Sequence, residues 1–354
     1  MTFLPMLRRA ALTATALATV WWLSACGSAA QPLPDNSPNA ALAQREAVRT
    51  SSLSAALAMP DASAYETRYL QWDDTARNRP VLAKLYLPKP AAGGQPVPLV
   101  VFSHGIGGSR EGYSYMGKHW AANGYASLHL QHAGSDRSLW SGNVLSMVSR
   151  LQSAATETEA IDRVRDLSFA LDQVLGSPEL APRLDARRIV AAGHSYGANT
   201  SLLAAGARVE RRSGALAFGD PRIKAAVIIS APPFYGQGDP EAILKGIRIP
   251  TLHITSTGDA IQIPGYYSAP EDRTKVYEAT GGAVKALAVF KDGSHSMFTD
   301  RLRTGGDALN PQVKSATRDL ALAFFSAVFD GRTEAFADWP KRHAPLLARF
   351  EQKF

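Results

Sequence analysis

Residues 188–203 read Arg188-Ile189-Val190-Ala191-Ala192-Gly193-His194-Ser195-Tyr196-Gly197-Ala198-Asn199-Thr200-Ser201-Leu202-Leu203. The run before Gly193 is mostly apolar, as suits a short strand buried on both faces, and from Ala198 onward the composition suits a helix. Between them lies Gly-x-Ser-x-Gly, so the serine falls on the turn from strand to helix. Glycines on either side of it let neighbouring backbones approach where a Cβ would collide. The turn lifts the hydroxyl above the strand end, beside a helix N-terminus that favours negative charge. The five-residue pattern recurs by chance in chains of this length; its strand-to-helix setting is what makes it a nucleophile elbow.

Outward from this elbow the chain alternates. Apolar, strand-like runs fall at residues 98–102, 125–130, 225–230, 251–255 and 286–290, with helix-like segments at 113–123, 157–175, 198–207 and 313–329. Such alternation predicts an α/β fold: a mostly parallel, doubly wound sheet with helices on both faces. Two period-two stretches, 65–72 and 80–87, predict an antiparallel hairpin ahead of it. Residues 133–156 contain Trp140, Leu145, Met147 and Val148 without clean periodicity and are expected to form a small cap over the site. The composition, 45% apolar and 19% charged, suits a globular core and excludes a disordered chain.

A serine hydroxyl needs a base to take its proton, and at a nucleophile elbow the acid and then the histidine follow the serine in chain order. After Ser195 the histidines are His253, His295 and His343. His253 lies inside a strand-like run and His343 in a polar C-terminal segment. His295, in the loop after the last strand-like run, is the expected base. Asp259, just past the run 251–255, is the expected acid, with Asp272 as runner-up at the end of a loop long enough to fold back. The oxyanion donors are read as the backbone N–H groups of Tyr196 and Ile106, the latter in the glycine-rich loop Phe102-Ser103-His104-Gly105-Ile106-Gly107-Gly108. Ser103 and His104 are expected to brace that loop. It lacks both the P-loop lysine and the Gly-x-Gly-x-x-Gly spacing that phosphate binding would need.

These residues carry a resemblance. Phe102-Ser103-His104-Gly105-Ile106-Gly107, Gln131-His132, Leu184-Asp185, Arg188-Ile189-Val190 and the elbow resemble bacterial dienelactone-hydrolase-like esterases and, more distantly, secreted platelet-activating-factor acetylhydrolases, over about residues 80–329. The resemblance implies an α/β-hydrolase fold and a Ser-Asp-His triad. True dienelactone hydrolases use cysteine as nucleophile, so Ser195 counts against that activity. No metal or nicotinamide cofactor is implied. His132 resembles a histidine that such acetylhydrolases carry near the site, where it either shapes the pocket or serves structure alone. With Trp140, Phe234, Tyr235 and Phe298 it makes up the expected substrate pocket, each also readable as core.

The N-terminus carries Arg8 and Arg9 before an apolar stretch at 10–23, too short to span a bilayer permanently, and reads as an export signal. The sole cysteine, Cys26, follows Leu23-Ser24-Ala25 and precedes Gly27, a pattern resembling the bacterial lipobox, whose cysteine becomes lipid-modified. The expected organisation is a signal peptide at 1–25, a tether at 26–63 rich in Ala, Ser and Pro, a catalytic domain at 64–335 and a helical extension at 336–354, in an exported protein anchored to the cell envelope. The formal charge of +7 is scattered, with no nucleic-acid motif. The expected activity is hydrolysis of short-chain or lipid esters through an acyl-enzyme, without a cofactor. The alternatives are a polyester hydrolase of the same chemistry and a surface-anchored binding protein on a hydrolase scaffold, since fold alone does not establish activity.

Overall fold

A computed structural model describes residues 61–90, 94–212, 214–234, 236–263, 266–301 and 309–353. The leader, Cys26, nearly all of the tether and Tyr235 lie outside the described residues. In chain order the main elements are β1 (Tyr65–Asp74), β2 (Arg79–Pro88), β3 (Val97–Ser103), α1 (Ser114–Ala122), β4 (Ala126–His132), α2 (Val144–Ala154), α3 (Glu157–Gly176), β5 (Leu184–His194), α4 (Tyr196–Ala204) and β6 (Ile223–Ile229). They continue with α5 (Pro240–Leu244), β7 (Thr251–Ser256), α6 (Glu271–Ala279), β8 (Lys285–Phe290), α7 (Leu309–Asp330), α8 (Glu334–Arg342) and β9 (Leu347–Lys353).

The nine strands form one sheet in the order β1-β2-β4-β3-β5-β6-β7-β8-β9. Pairing is parallel from β4 through β8. It is antiparallel at both ends, where β1 pairs β2, β2 pairs β4, and β9 pairs β8. This is the α/β-hydrolase fold. The chain leaves β3 for β4 on one side and returns to β5 on the other, so the strand order reverses there. In open α/β sheets the crevice at such a reversal, beyond the strand C-termini, is where ligands bind, and both the oxyanion loop after β3 and the elbow after β5 open onto it.

Alternation along the strands divides the core. Leu99, Val101, Ile189, Ala191, Ala226 and Ile228 pack with α3 and α4 on one face. Val100, Phe102, Val190, Ala192, Val227 and Ile229 pack with α1, α7 and α8 on the other. Two buried tryptophans tie that second layer together: the Trp120 indole donates to the Arg318 carbonyl at 3.2 Å and the Trp339 indole to the Ala316 carbonyl at 3.0 Å. Residues 133–156, where no periodicity was legible, contain a short 3-10 turn at Arg137–Trp140 and then α2, whose first turn is capped by the Asn143 side chain accepting from Ser146 N–H. The C-terminal extension is a correction. Its helix stops at Arg342, and residues 347–353 instead form β9, because the otherwise open edge of β8 offers a row of unpaired backbone groups.

Five histidines are buried: His104, His129, His132, His194 and His253. Burial, with Lys285 adding to it, pushes His253 down to about 3. Burial likewise pushes His129 down to about 4. A histidine whose folded pKa is depressed takes up its proton first in the unfolded chain, so stability is complete above about pH 6.5 and is lost as pH falls toward the folded value. Urea unfolding should therefore give a smaller free energy at about pH 5 than at about pH 7, with a slope approaching about 1.4 kcal/mol per pH unit for each such group. His253 Nε2 makes no hydrogen bond, so His253→Leu forfeits none at that atom and should flatten the slope. An unchanged slope would refute the assignment.

Candidate active site

At the end of β5 the backbone of Ser195 adopts φ 57° and ψ −123°, a left-handed conformation that costs a non-glycine residue of order 1–3 kcal/mol. The surroundings impose it. A Cβ on Gly193 would overlap the Gly197 carbonyl, and a Cβ on Gly197 would overlap the Ser103 carbonyl. Both glycines are therefore required by close approach, β5 against α4 and α4 against β3. Ser195 N–H donates to the Ile229 carbonyl on β6 at 2.9 Å, which holds the turn over the neighbouring strand.

The His295 imidazole reaches Ser195 Oγ through Nε2 at 2.7 Å and Asp259 Oδ1 through Nδ1 at 2.7 Å. An ionised Asp259 can only accept, so Nδ1 carries the proton and the Nε2 lone pair faces the serine hydroxyl. Burial of Asp259 opposes its ionisation, but the charge and hydrogen bond of His295, followed by the charge of Arg273, outweigh it and hold the carboxyl well below the usual carboxylate range. Thr255 Oγ1 donates to its other oxygen at 2.7 Å. The loops after β7 and β8 are stapled, with Asp292 N–H donating to Thr257 Oγ1 at 2.8 Å, and Gly258 packs so tightly on Gly293 that a Cβ would overlap its carbonyl. Asp272, the runner-up acid, is occupied elsewhere, accepting from Ser268 Oγ at 2.9 Å and from Ala269 N–H at 3.1 Å.

The oxyanion loop lies against the elbow: a Cβ on Gly105 would stand 3.2 Å from Ser195 Cβ. Gly107 N–H donates to the Ser135 carbonyl at 2.8 Å and Gly108 N–H to the Gly105 carbonyl at 3.0 Å. The Ile106 N–H just before them has no acceptor among the described residues. Tyr196 opens α4, where a helix leaves its first N–H groups unpaired. The two amides read as oxyanion donors are thus both available to a ligand.

Sequence reasoning missed the groups that hold this loop in place. Arg163, fully buried on α3, donates through Nη2 to the His104 carbonyl, through Nη1 to Ser135 Oγ at 2.7 Å and through Nε to Thr200 Oγ1 at 3.0 Å. Its guanidinium also stacks over the Tyr196 ring at 4.5 Å. Burial pushes its pKa down to about 10, still protonated at neutral pH. Charge balance comes through Ser135, which donates in turn to Glu159 at 2.7 Å. A second missed feature is a chain of bonds through His194. Gly105 N–H donates to Tyr113 Oη at 3.3 Å, Tyr113 Oη lies 2.8 Å from His194 Nδ1, and His194 Nε2 lies 2.9 Å from the His295 carbonyl. A carbonyl only accepts, so Nε2 is protonated and Nδ1 accepts from the tyrosine. Burial, then the neighbouring His295, pushes His194 down to about 3, so it stays neutral. The only sequence signal for either was position: His194 precedes the serine, and Arg163 sits among acids on an amphipathic helix.

The expected pocket residues divide. Of them, Phe234 lines a cavity of about 430 Å³ that opens at Ser195, within the usual range for small-ligand sites, together with Ile106 and Tyr196, the residues read as oxyanion donors. Val148, Leu151 and Ala155, from α2 and its C-cap, supply another wall, so the C-terminal part of the 133–156 segment borders the cavity. His132 does not line it. Its Nδ1 bonds Asp166 at 3.0 Å and its Nε2 bonds Ser103 at 3.1 Å, while His104 Nε2 accepts from its backbone N–H at 3.1 Å. Its role is to brace the base of the oxyanion loop. Phe298 is likewise absent from the lining, being packed in the second core layer beside Phe290. Trp140 is 45% exposed and also outside the lining; its indole donates to the Gly107 carbonyl at 2.8 Å, backing the oxyanion loop. Among the described residues no cluster of three or more His, Cys, Asp or Glu is arranged to hold a metal, and no helix is long and apolar enough to cross a membrane.

Over residues 86–145 the chain matches the family described as platelet-activating factor acetylhydrolase, isoform II. That span runs from the end of β2 through the oxyanion loop to the start of α2, and at the level of the family the similarity is to serine ester hydrolases. Comparison with curated proteins finds none that matches.

Tyr113→Phe removes the hydroxyl that joins Gly105 to His194 and leaves a buried donor and a buried acceptor unpaired. The expected loss is about 1–3 kcal/mol in urea unfolding. His194→Gln, whose amide offers one donor and one acceptor, should lose less than His194→Phe; equal losses would show that the bonds contribute nothing.

Proposed function

We propose that the chain is a serine carboxylic-ester hydrolase in which Ser195 is the nucleophile, His295 the general base and Asp259 the acid that orients it. The observation that carries this reading is the continuous relay from Asp259 through His295 to Ser195, with both contacts at 2.7 Å, at the mouth of a largely apolar cavity. Ser195 Oγ adds to the ester carbonyl as its proton passes to His295 Nε2, and Asp259 stabilises the imidazolium so formed. The developing oxyanion accepts from the Ile106 and Tyr196 amides, each such donor contributing roughly 3 kcal/mol to the transition state. His295 returns the proton to the departing alkoxide, leaving an acyl group on Ser195, and then activates the water that removes it. Serving as base and then acid without leaving the site requires a ring held in one tautomer, which Asp259 supplies. The cavity favours esters with an apolar arm, in keeping with short-chain or lipid esters, and the match at 86–145 supports ester chemistry. We further propose that the enzyme is exported and lipid-anchored at Cys26, on the strength of the leader and the residues around that cysteine.

Ser195→Ala should abolish both ester turnover and labelling by a fluorophosphonate while leaving the thermal midpoint near wild type; more than about a hundredth of the wild-type rate would sink the nucleophile. Asp259→Asn, which favours the wrong imidazole tautomer, should cost on the order of ten thousandfold in kcat, whereas Asp272→Asn should be mild. Radiolabelled palmitate should enter the wild type in cells and not Cys26→Ser, and equal incorporation would refute the anchor.

A further inference from the structure

The cavity at Ser195 is apolar over most of its wall, but three side-chain amides interrupt it, Gln152, Asn199 and Gln237, and Thr156, Glu157 and Arg211 lie along its border. Asn199 follows Ser195 by four residues on α4, and its backbone N–H returns to the Ser195 carbonyl at 3.3 Å, so the helix sets its position one turn along from the nucleophile. That places it about 6 Å further along the axis. Asn199 is 8% exposed and its Oδ1 is buried, yet no described residue donates to it. Gln237 Oε1, on the loop that follows Phe234, is in the same condition.

A helical asparagine ordinarily points to solvent or bonds back to the preceding turn. Asn199 does neither, and the same cavity is lined by Leu203, one turn further along α4, and by Ala160 and Ile161, a wall in which a leucine would be at home. A buried amide left unpaired in an apolar wall is a cost to the free protein that a bound group can remove. We propose, resting on the ester-hydrolase reading, that the substrate is an ester whose cavity-bound arm carries a hydroxyl, and that Asn199 accepts from it, with Gln237 as a second polar contact in the wall. A hydroxyl fits where a ketone does not. It donates to the unpaired Oδ1 and can also accept from the amide nitrogen, whereas a carbonyl can only accept.

The test measures kcat/KM on two matched series. In one the acyl arm varies: p-nitrophenyl hexanoate, its β-hydroxy and ω-hydroxy forms and its β-oxo form. In the other the alcohol arm varies: hexyl acetate against its ω-hydroxy form. The wild type should favour a hydroxylated member over its plain partner by roughly tenfold to a hundredfold in the series whose arm enters the cavity, and should favour the β-oxo form less. Asn199→Leu should erase that preference and raise turnover of the plain ester, with a thermal midpoint no lower than wild type, because it removes a buried unpaired group. Asn199→Ala, which adds no bulk, should erase it too. A wild-type ratio within about twofold in both series, or a preference that survives both variants, overturns the assignment of Asn199. Absence of turnover on every ester by the wild type would instead overturn the hydrolase reading.

Discussion

Ser195 is held at a backbone conformation that no serine would choose, and the site is built outward from that constraint. The strain is sustained because three segments meet within one residue's width: Gly193 against the Gly197 carbonyl, Gly197 against that of Ser103, and Ser195 N–H bonded to Ile229. These contacts draw β3, β5, β6 and α4 together at the strand C-termini. The oxyanion loop continues directly from Ser103, so the approach that forces the elbow also sets Gly105 beside the serine. The proposed nucleophile and the proposed oxyanion donors are thereby held by one packing arrangement, as preorganised electrostatic stabilisation requires.

Around the elbow lies an unusual amount of buried polarity. Arg163, His132, Asp166, Ser135 and His104 are all nearly inaccessible. Burying such groups is costly unless each finds partners. Here they do, and the partners are mostly main-chain atoms and hydroxyls of the loops that shape the site: the His104 carbonyl, the His132 backbone N–H, Ser135, Ser103 and Thr200. An apolar core could stabilise the sheet as well, but it could not tie irregular loops at defined distances, because van der Waals packing has no direction. Arg79 and Arg77 extend the network to β2 and its hairpin turn, both pairing with Asp166, which in turn bonds His132. The N-terminal hairpin is thus joined to the floor of the oxyanion loop through ion pairs shielded from solvent.

The residue sequence determined more of this than its length suggests, where the signal is local. The elbow was legible because glycine spacing, the strand run before it and the helix after it all lie within residues 188–203. The hairpin was legible from a period of two, and the five remaining strand-like runs from apolar segments too short to be helices. His295 and Asp259 could be named because each immediately follows such a run, and the geometry brings both to Ser195. Only the tertiary structure decided what depends on partners distant in the chain. Residues 347–353 are polar and carry little strand signal of their own, and became β9 because β8 presents an unpaired edge. His132, by its resemblance to a histidine of the acetylhydrolases, and Phe298 were both expected in the pocket. A single bond rotation separates facing a cavity from facing Asp166 or a second core layer, and the chain order carries no record of it. The neutral His194, the guanidinium of Arg163 and the unpaired amide of Asn199 are of the same kind. Residue type states what each can donate or accept, but which donors are answered, and which are left for a ligand, is settled by where the sheet, the helices and the loops come to rest against one another.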